Sequence, residues 1–144
     1  METVKKYFNI VIWSGSSKSY AKQILDAIDS NRKYIDGELY RENCTLNNAQ
    51  FLVKDLSIIK ERDPSQIVIV DNSATCFFNN IDNGVPIIPY KDNKYDKELK
   101  KLLKFLIYLS DKDDVRNIIS QKFQLKKYMK YDQQSDLVNT LFTD

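Results

Sequence analysis

Hydrophobic positions along the chain follow two rhythms. Phe8-Asn9-Ile10-Val11-Ile12-Trp13 is a short, nearly unbroken apolar run, the pattern of a strand buried on both faces. Ile67-Val68-Ile69-Val70 repeats it with β-branched residues only. Val85-Pro86-Ile87-Ile88 is a third run, placed nearer an edge by its proline. Between the runs the period changes. Tyr20, Ile24, Leu25 and Ile28 recur at helical spacing and predict an amphipathic helix from Ser16 to about Ser30. Leu99, Leu102, Leu103 and Leu106 predict another from about Tyr95 to Leu109. Val115, Ile118 and Ile119 predict one more, capped by the acidic Asp111 to Asp114 region. The stretch from Tyr34 to Asp55 reads as short strands and loops, with a turn at Asn47-Asn48.

Apolar strands alternating with amphipathic helices imply an α/β fold, a three-layer Rossmann-like parallel sheet with helices on both faces. In such sheets the site lies beyond the carboxyl ends of the strands. Two polar clusters stand at such ends, Ser14-Gly15-Ser16 and Asp71-Asn72-Ser73.

Composition narrows the chemistry. The chain has 144 residues, enough for one domain, with 42% hydrophobic and 29% charged residues, which excludes a disordered tail or a fibre. It contains no histidine, so Ser-His-Asp and Cys-His catalysis and His-ligated zinc are excluded. Cys44 and Cys76 are too few for a disulfide scaffold or a Cys-only zinc site, which suggests a reducing, intracellular compartment, cytoplasmic or nuclear. The longest apolar run, Phe105 to Leu109, is too short to span a bilayer, and no apolar signal follows Met1. Net charge is +2, so no direct nucleic-acid partner is expected. Residues 1–121 read as the α/β domain and 122–144 as a lysine-rich helix and tail. There Lys122, Lys126, Lys127 and Lys130 interleave with Phe123, Leu125, Tyr128 and Met129. That segment is a terminal helix docked by its apolar side, or a basic helix that touches a membrane surface or a partner.

Three candidates carry chemistry. Ser14 to Ser19 follows a strand and opens a helix, a junction whose free amides suit a phosphate and whose hydroxyls equally suit helix capping; it lacks the glycine spacing and Gly-Lys-Ser/Thr ending of a nucleotide loop. Asp71 and Asn72 offer oxygens to a hard divalent cation, or simply make a turn. Lys54 precedes Asp55-Leu56-Ser57, where Asp55 or Ser57 caps a short helix, and Lys54 itself reads as a surface lysine.

Taken in order, Trp13-Ser14-Gly15-Ser16, Leu39-Tyr40-Arg41-Glu42-Asn43-Cys44, Val53-Lys54-Asp55-Leu56-Ser57 and Ile67 to Ser73 resemble one family. It is the phosphatase domain of the RNA polymerase II carboxy-terminal-domain phosphatases and their small-phosphatase and dullard relatives, in the haloacid dehalogenase superfamily. Asn83-Gly84-Val85-Pro86-Ile87 and Asp113-Asp114-Val115-Arg116 are similar to the same family, and the resemblance runs from about Val4 to Ser120. It implies an aspartyl-phosphate mechanism with Mg²⁺ on phosphoproteins carrying phosphoserine or phosphothreonine. It further implies Ser14 and Lys54 as catalytic residues and Arg41, with Gly15 and Ser16, as substrate-binding residues. Asp71 and Asn72 become the metal ligands by the same resemblance. Tyr20 matches a tyrosine at the start of the family's helix, where core packing is an equal reading.

The chain departs from the family at its first motif. The Asp-x-Asp-x-Thr/Val motif, which supplies the nucleophile and the general acid, is expected to be absent from the whole chain. By the resemblance, Met1 to Tyr7 ends the helix leading into the second family strand. The first, central strand would lie between Phe8–Trp13 and Ile67–Val70. Ala74 stands where relatives usually have proline. The gap is expected to close by direct pairing of those two runs, by a swapped or partner strand in an oligomer, or by a segment outside this sequence. The expected function is therefore a Mg²⁺-dependent phosphatase domain that is inactive alone; the alternative is a non-catalytic module that binds a protein partner.

Overall fold

The computed structural model describes residues 1–129; Lys130 and the rest of the lysine-rich tail lie outside the described residues. The chain forms two compact units, Met1–Lys54 and Asp55–Asp144.

The first unit runs through helix α1 (Glu2–Lys5), strand β1 (Val11–Trp13), helix α2 (Lys18–Ile28), strand β2 (Gly37–Leu39) and the hairpin strands β3 (Thr45–Leu46) and β4 (Leu52–Val53). β1 and β2 pair in parallel with Val11 opposite Gly37, Ile12 opposite Glu38 and Trp13 opposite Leu39. Ile12 packs on a core of Ala21, Leu25, Ile35 and Tyr40, which seats α2 on one face of the pair. Asp29, only 4% exposed, closes α2: its carboxylate accepts the amides of Lys33 and Tyr34, each at 2.8 Å, and of Ile35 at 2.9 Å. β3 and β4 pair antiparallel around Asn47, whose side-chain oxygen accepts the amides of Ala49 and Phe51.

The second unit contains β5 (Ile69–Asp71), a kinked 3-10 run over Ala74–Asn83, β6 (Gly84–Pro86) and helices α3 (Glu98–Leu109), α4 (Val115–Phe123) and α5 (Leu125–Met129). β5 and β6 are parallel, with Val70 opposite Val85 and Asp71 opposite Pro86. Val85, Leu109, Val115 and Ile119 form its core, joined by Val68, Val70, Leu102, Phe105, Ile118 and Phe123. Asp114 caps α4 through the amide of Arg116 at 2.9 Å and grips the same residue's guanidinium at 2.9 and 2.8 Å. Asn83 is 3% exposed because its amide donates to the carbonyls of Pro64 and Ile67. The Asn-Gly-Val-Pro segment is thus a structural lock.

The α/β class is as expected, but three details differ. The strands are shorter than the apolar runs, and β1 is not buried on both faces, since Val11 is 46% exposed. Its sheet has two strands, so only the Ile12 face gains a helix cover. On α2 the buried row is Ala21 and Leu25, whereas Tyr20, Ile24 and Ile28 stay 60%, 44% and 57% exposed. Core packing of Tyr20 is therefore excluded: one side of α2 meets the sheet, and the adjoining i, i+4, i+8 row lies past it. Finally, each unit's parallel sheet has only two described strands, β1 with β2 and β5 with β6.

The backbone shows which edges are open. Ser14 N–H donates to Leu39 and Asp36 N–H to Ile10, so Ile10, Ile12 and Ser14 face β2 while Val11 and Trp13 turn their peptide groups to the outer edge. The Ile87 N–H donates to Asp71, so Ile69 and Asp71 face β6 and Val70 faces outward.

Candidate phosphate-binding site

The carboxyl end of β1 enters a tight loop. Ser14 Oγ accepts the Ser16 amide at 3.1 Å, and the Ser14 amide is held by Leu39 of β2 at 2.9 Å. Ser17 is the N-cap of α2, yet its side chain makes no cap bond; its hydroxyl meets that of Ser19 at 3.3 Å. The expected capping by Ser14 and Ser16 is therefore not observed, because Ser14 is spent on its own loop. The first-turn amides of α2 stay open to an anion instead.

Arg41 reaches this loop from beyond β2. Its Nε donates to the Gly15 carbonyl at 2.7 Å and its amide to the Ser16 carbonyl at 3.1 Å. Of the three Arg41 guanidinium nitrogens only Nε has a partner among the described residues, so the forked terminal nitrogens remain for a bidentate acceptor. Tyr40 and Asn43 fix the turn that carries Arg41, the Asn43 side chain accepting the Tyr40 amide at 2.9 Å. A Cβ at Gly15 would stand 3.7 Å from Leu52 Cδ1, so β4, which leads into half-buried Lys54, also reaches the loop. Structure thus brings together Ser14, Gly15, Ser16 and Arg41, three separate stretches of sequence with β4 included.

Asp71 and Asn72 belong to the second unit. Asp71 ends β5 with its carboxylate accepting the Ser73 amide at 2.8 Å, and Ser73 and Thr75 hydroxyls pair at 2.7 Å. Asn72 is exposed. Mg²⁺ requires near-octahedral oxygen ligation, commonly from one or two carboxylates plus substrate phosphate. One carboxylate already turned onto its own backbone and one amide oxygen do not by themselves fit a resident Mg²⁺ site, and no group of three or more acidic or Cys ligands is assembled among the described residues. Calorimetric titration with Mg²⁺ is therefore expected to show no saturable binding up to about 5 mM. Saturation below about 1 mM that Asp71→Asn abolishes would show the pair to be sufficient.

The expectation that the Asp-x-Asp-x-Thr/Val spacing is absent needs correction: Asp111-Lys112-Asp113-Asp114-Val115 carries it, but in the turn between α3 and α4 and not at a strand end. Its Asp114 is the α4 cap, held below the usual carboxylate range by the Arg116 guanidinium and amide. Asp55 is likewise held low by the Ser57 amide and by Asn79, whose side chain donates to it at 2.7 Å. Sequence reading missed that Asn79 contact and the Asn80 acceptor of the Leu56 amide; the Asn79-Asn80 pair in an apolar stretch was their only signal.

Comparison with known proteins gives this geometry a context. Residues 1–116 match the NLI interacting factor-like phosphatase family. CTD small phosphatase-like protein 2 of Dictyostelium discoideum is 40% identical over 125 residues, 87% of this chain and 22% of that protein. CTD small phosphatase-like protein 3 of Caenorhabditis elegans is 35% identical over 91% of this chain and 45% of its own length. CTD nuclear envelope phosphatase 1B of Danio rerio is 31% identical over 84% of this chain and 49% of its own. The chain thus spans less than half the length of these relatives. The solved structure of Fcp1, an RNA polymerase II CTD phosphatase, superposes on 95% of this chain and 38% of that one with a TM-score of 0.52 and 17% identity, a likeness of fold. The chain belongs to the NLI interacting factor-like phosphatase family.

Proposed function

We propose that this chain is the phosphate-recognising part of a protein phosphoserine or phosphothreonine phosphatase domain, and that by itself it binds the phosphoryl group without cleaving it. The observation that carries the reading is the loop after β1, where a hydroxyl, a helix N-terminus and the free fork of Arg41 converge. Ser14 donates its O–H to a phosphoryl oxygen while its oxygen keeps the Ser16 amide. Arg41 takes two phosphoryl oxygens. Lys54 offsets charge in the role its family position implies. Asp71 and Asn72 are the metal ligands in that reading, but only as a part of a larger oxygen set. Among the described residues no carboxylate takes part in the loop's hydrogen bonds, so attack on phosphorus and protonation of the leaving alkoxide have no agent among those bonds. Losing a nucleophile costs roughly 10⁴-fold or more in rate.

The outer edge of β1, where Val11 and Trp13 present peptide groups with no strand partner among the described residues, is where we place the strand that completes the domain, supplied by a second copy, by a partner or by sequence outside this chain. The Trp13 indole N–H, buried and without an acceptor, supports an incomplete edge. Relatives named as RNA polymerase II CTD and nuclear envelope phosphatases support a phosphoprotein substrate and an intracellular setting.

The test uses the full chain with Mg²⁺. A phosphoserine peptide is expected to bind about tenfold tighter than its unphosphorylated form. Arg41→Ala and Ser14→Ala each remove most of that preference, and an aryl phosphate is not hydrolysed above the buffer blank. Equal affinity for both peptides, or turnover that Asp71→Asn abolishes, would overturn the reading. An added peptide carrying Asp-x-Asp-x-Thr separates the two family readings: restored hydrolysis identifies a split enzyme, and its failure favours the binding module.

A further inference from the structure

The three most exposed large hydrophobic side chains among the described residues are Tyr95 at 74%, Leu99 at 72% and Tyr90 at 66%, and all three fall within ten residues. Singly exposed apolar residues need no account, but a cluster does. The same stretch is rich in lysine. Lys91, Lys94, Lys97 and Lys100 recur every third residue, followed by Lys101 and Lys104, and every one is exposed. Residues 90–104 hold these six lysines against Asp92, Asp96 and Glu98, a charge of +3 that exceeds the +2 of the whole chain.

Local pairing does not neutralise this charge. Asp96 accepts the Glu98 amide at 2.9 Å, and Glu98 takes Lys101 at 2.7 Å. Asp92 faces the Tyr90 hydroxyl at 3.5 Å. Lys94 lies over the Tyr95 ring, 5.1 Å from its centre. Lys91, Lys97, Lys100 and Lys104 have no carboxylate partner among the described residues. Leu106 and Leu109 anchor α3 in the core and Lys100, Lys101 and Lys104 stand on its other side, while Leu99, two turns before Leu106 on the same row, lies exposed at the first turn of the helix.

We infer that the loop after β6 and the first turn of α3, where exposed Leu99 is flanked by Lys97 and Lys100, form a docking surface for an anionic lipid bilayer. Lysine ammonium groups meet lipid phosphates and carboxylates, while Tyr90, Tyr95 and Leu99 enter the boundary between headgroups and acyl chains. Two features favour lipid over the other polyanions. Residues 90–104 contain no arginine, the residue best suited to base edges and forked phosphate recognition. Leu99, an aliphatic side chain, has no base to stack on but gains directly from an apolar boundary. This surface lies wholly in the second unit and does not depend on the phosphate-site reading.

Co-sedimentation of the full 144-residue chain with vesicles tests it. Partitioning is expected to rise at least tenfold when phosphatidylcholine vesicles are given about 30% phosphatidylserine, and to fall as salt is raised. Combined Lys94→Ala, Lys97→Ala and Lys100→Ala should lower partitioning about 100-fold, since each lysine near an anionic surface is worth about fivefold. Leu99→Ser should lower it about tenfold. All four positions are exposed, so thermal midpoints should stay unchanged and separate lost docking from lost folding. In Leu99→Trp, the added emission over the Trp13 background should shift to the blue on anionic vesicles. The inference is overturned by binding indifferent to phosphatidylserine, or by binding that survives these changes and is lost in Lys126→Ala with Lys127→Ala. Tight binding of single-stranded RNA or of an acidic peptide, with vesicles left unbound, overturns it equally.

Discussion

Gly84→Ala is expected to lower the stability of the second unit by about 3 kcal/mol or more, a large share of the roughly 5–15 kcal/mol that holds a typical domain folded. A Cβ placed on Gly84 would stand 2.1 Å from Phe77 Cδ2, 2.2 Å from Cε2 and 2.7 Å from Cγ. The ring has nowhere to go, because Phe77 is fully buried. Backbone conformation is not the reason for glycine here: φ of −88° and ψ of 122° suit any L-residue. Volume alone excludes the side chain. Phe77→Ala should cost about 3–5 kcal/mol through the cavity it leaves. Because the two sites share one space, the double variant should be less destabilised than the sum, with a coupling of about 2 kcal/mol. Urea unfolding of the three variants measures this, and a Gly84→Ala midpoint equal to the wild type would refute the clash.

Asp29→Ala should be the most damaging change in the first unit, lowering the melting midpoint by about 10 °C at pH 7. Three backbone amides converge on this carboxylate at the end of α2, and alanine leaves all three without an acceptor. Burial alone pushes the Asp29 carboxyl up, but the amides of Tyr34, Ile35 and Lys33, with Arg32, hold it below its ordinary value. A lowered folded value means that the carboxylate stabilises the fold at pH above the unfolded value of about 3.9. That contribution drains away as pH falls through the folded value. Asp29→Asn should therefore be weaker than wild type at pH 7, with a difference that shrinks below about pH 4. Asp55, Asp63 and Asp114 are held low by their own amide or guanidinium donors, so the whole chain should lose stability in the same acid range. Thermal melts of both proteins across pH 2 to 7, about the range in which carboxylates titrate, check the sign; a gap that widens in acid would show it to be wrong.

The α/β class was legible because β-branched runs and helical spacing are properties of the local sequence. Helix starts were read well where a cap is encoded, as at Asp114, and less well where it is not, as at α3, whose apolar pattern begins upstream of Glu98. The buried face of α2 was misread because Tyr20, Ile24 and Ile28 form as good an apolar row as Ala21 and Leu25. Which row is covered depends on where the sheet lies, and no periodicity states that. In the candidate site, Ser14 and Arg41 came from ordered motifs, but the bond from Arg41 Nε to the Gly15 carbonyl spans 26 residues and is a tertiary fact. The Asp29 staple was invisible for the same reason: an aspartate ending a helix looks like any polar surface residue until the loop folds back.

Pro86 sets a direction on the second sheet. Val85 and Ile87 turn their peptide groups toward β5, so Pro86 faces away, at a place where it has no N–H to offer. A strand arriving beside β6 would find its ladder broken at the middle, whereas one arriving beside Val70 would find donor and acceptor intact. The pair therefore behaves as a one-sided template: it can be extended past β5, and growth past β6, the route to open-ended stacking of copies, is chemically stopped.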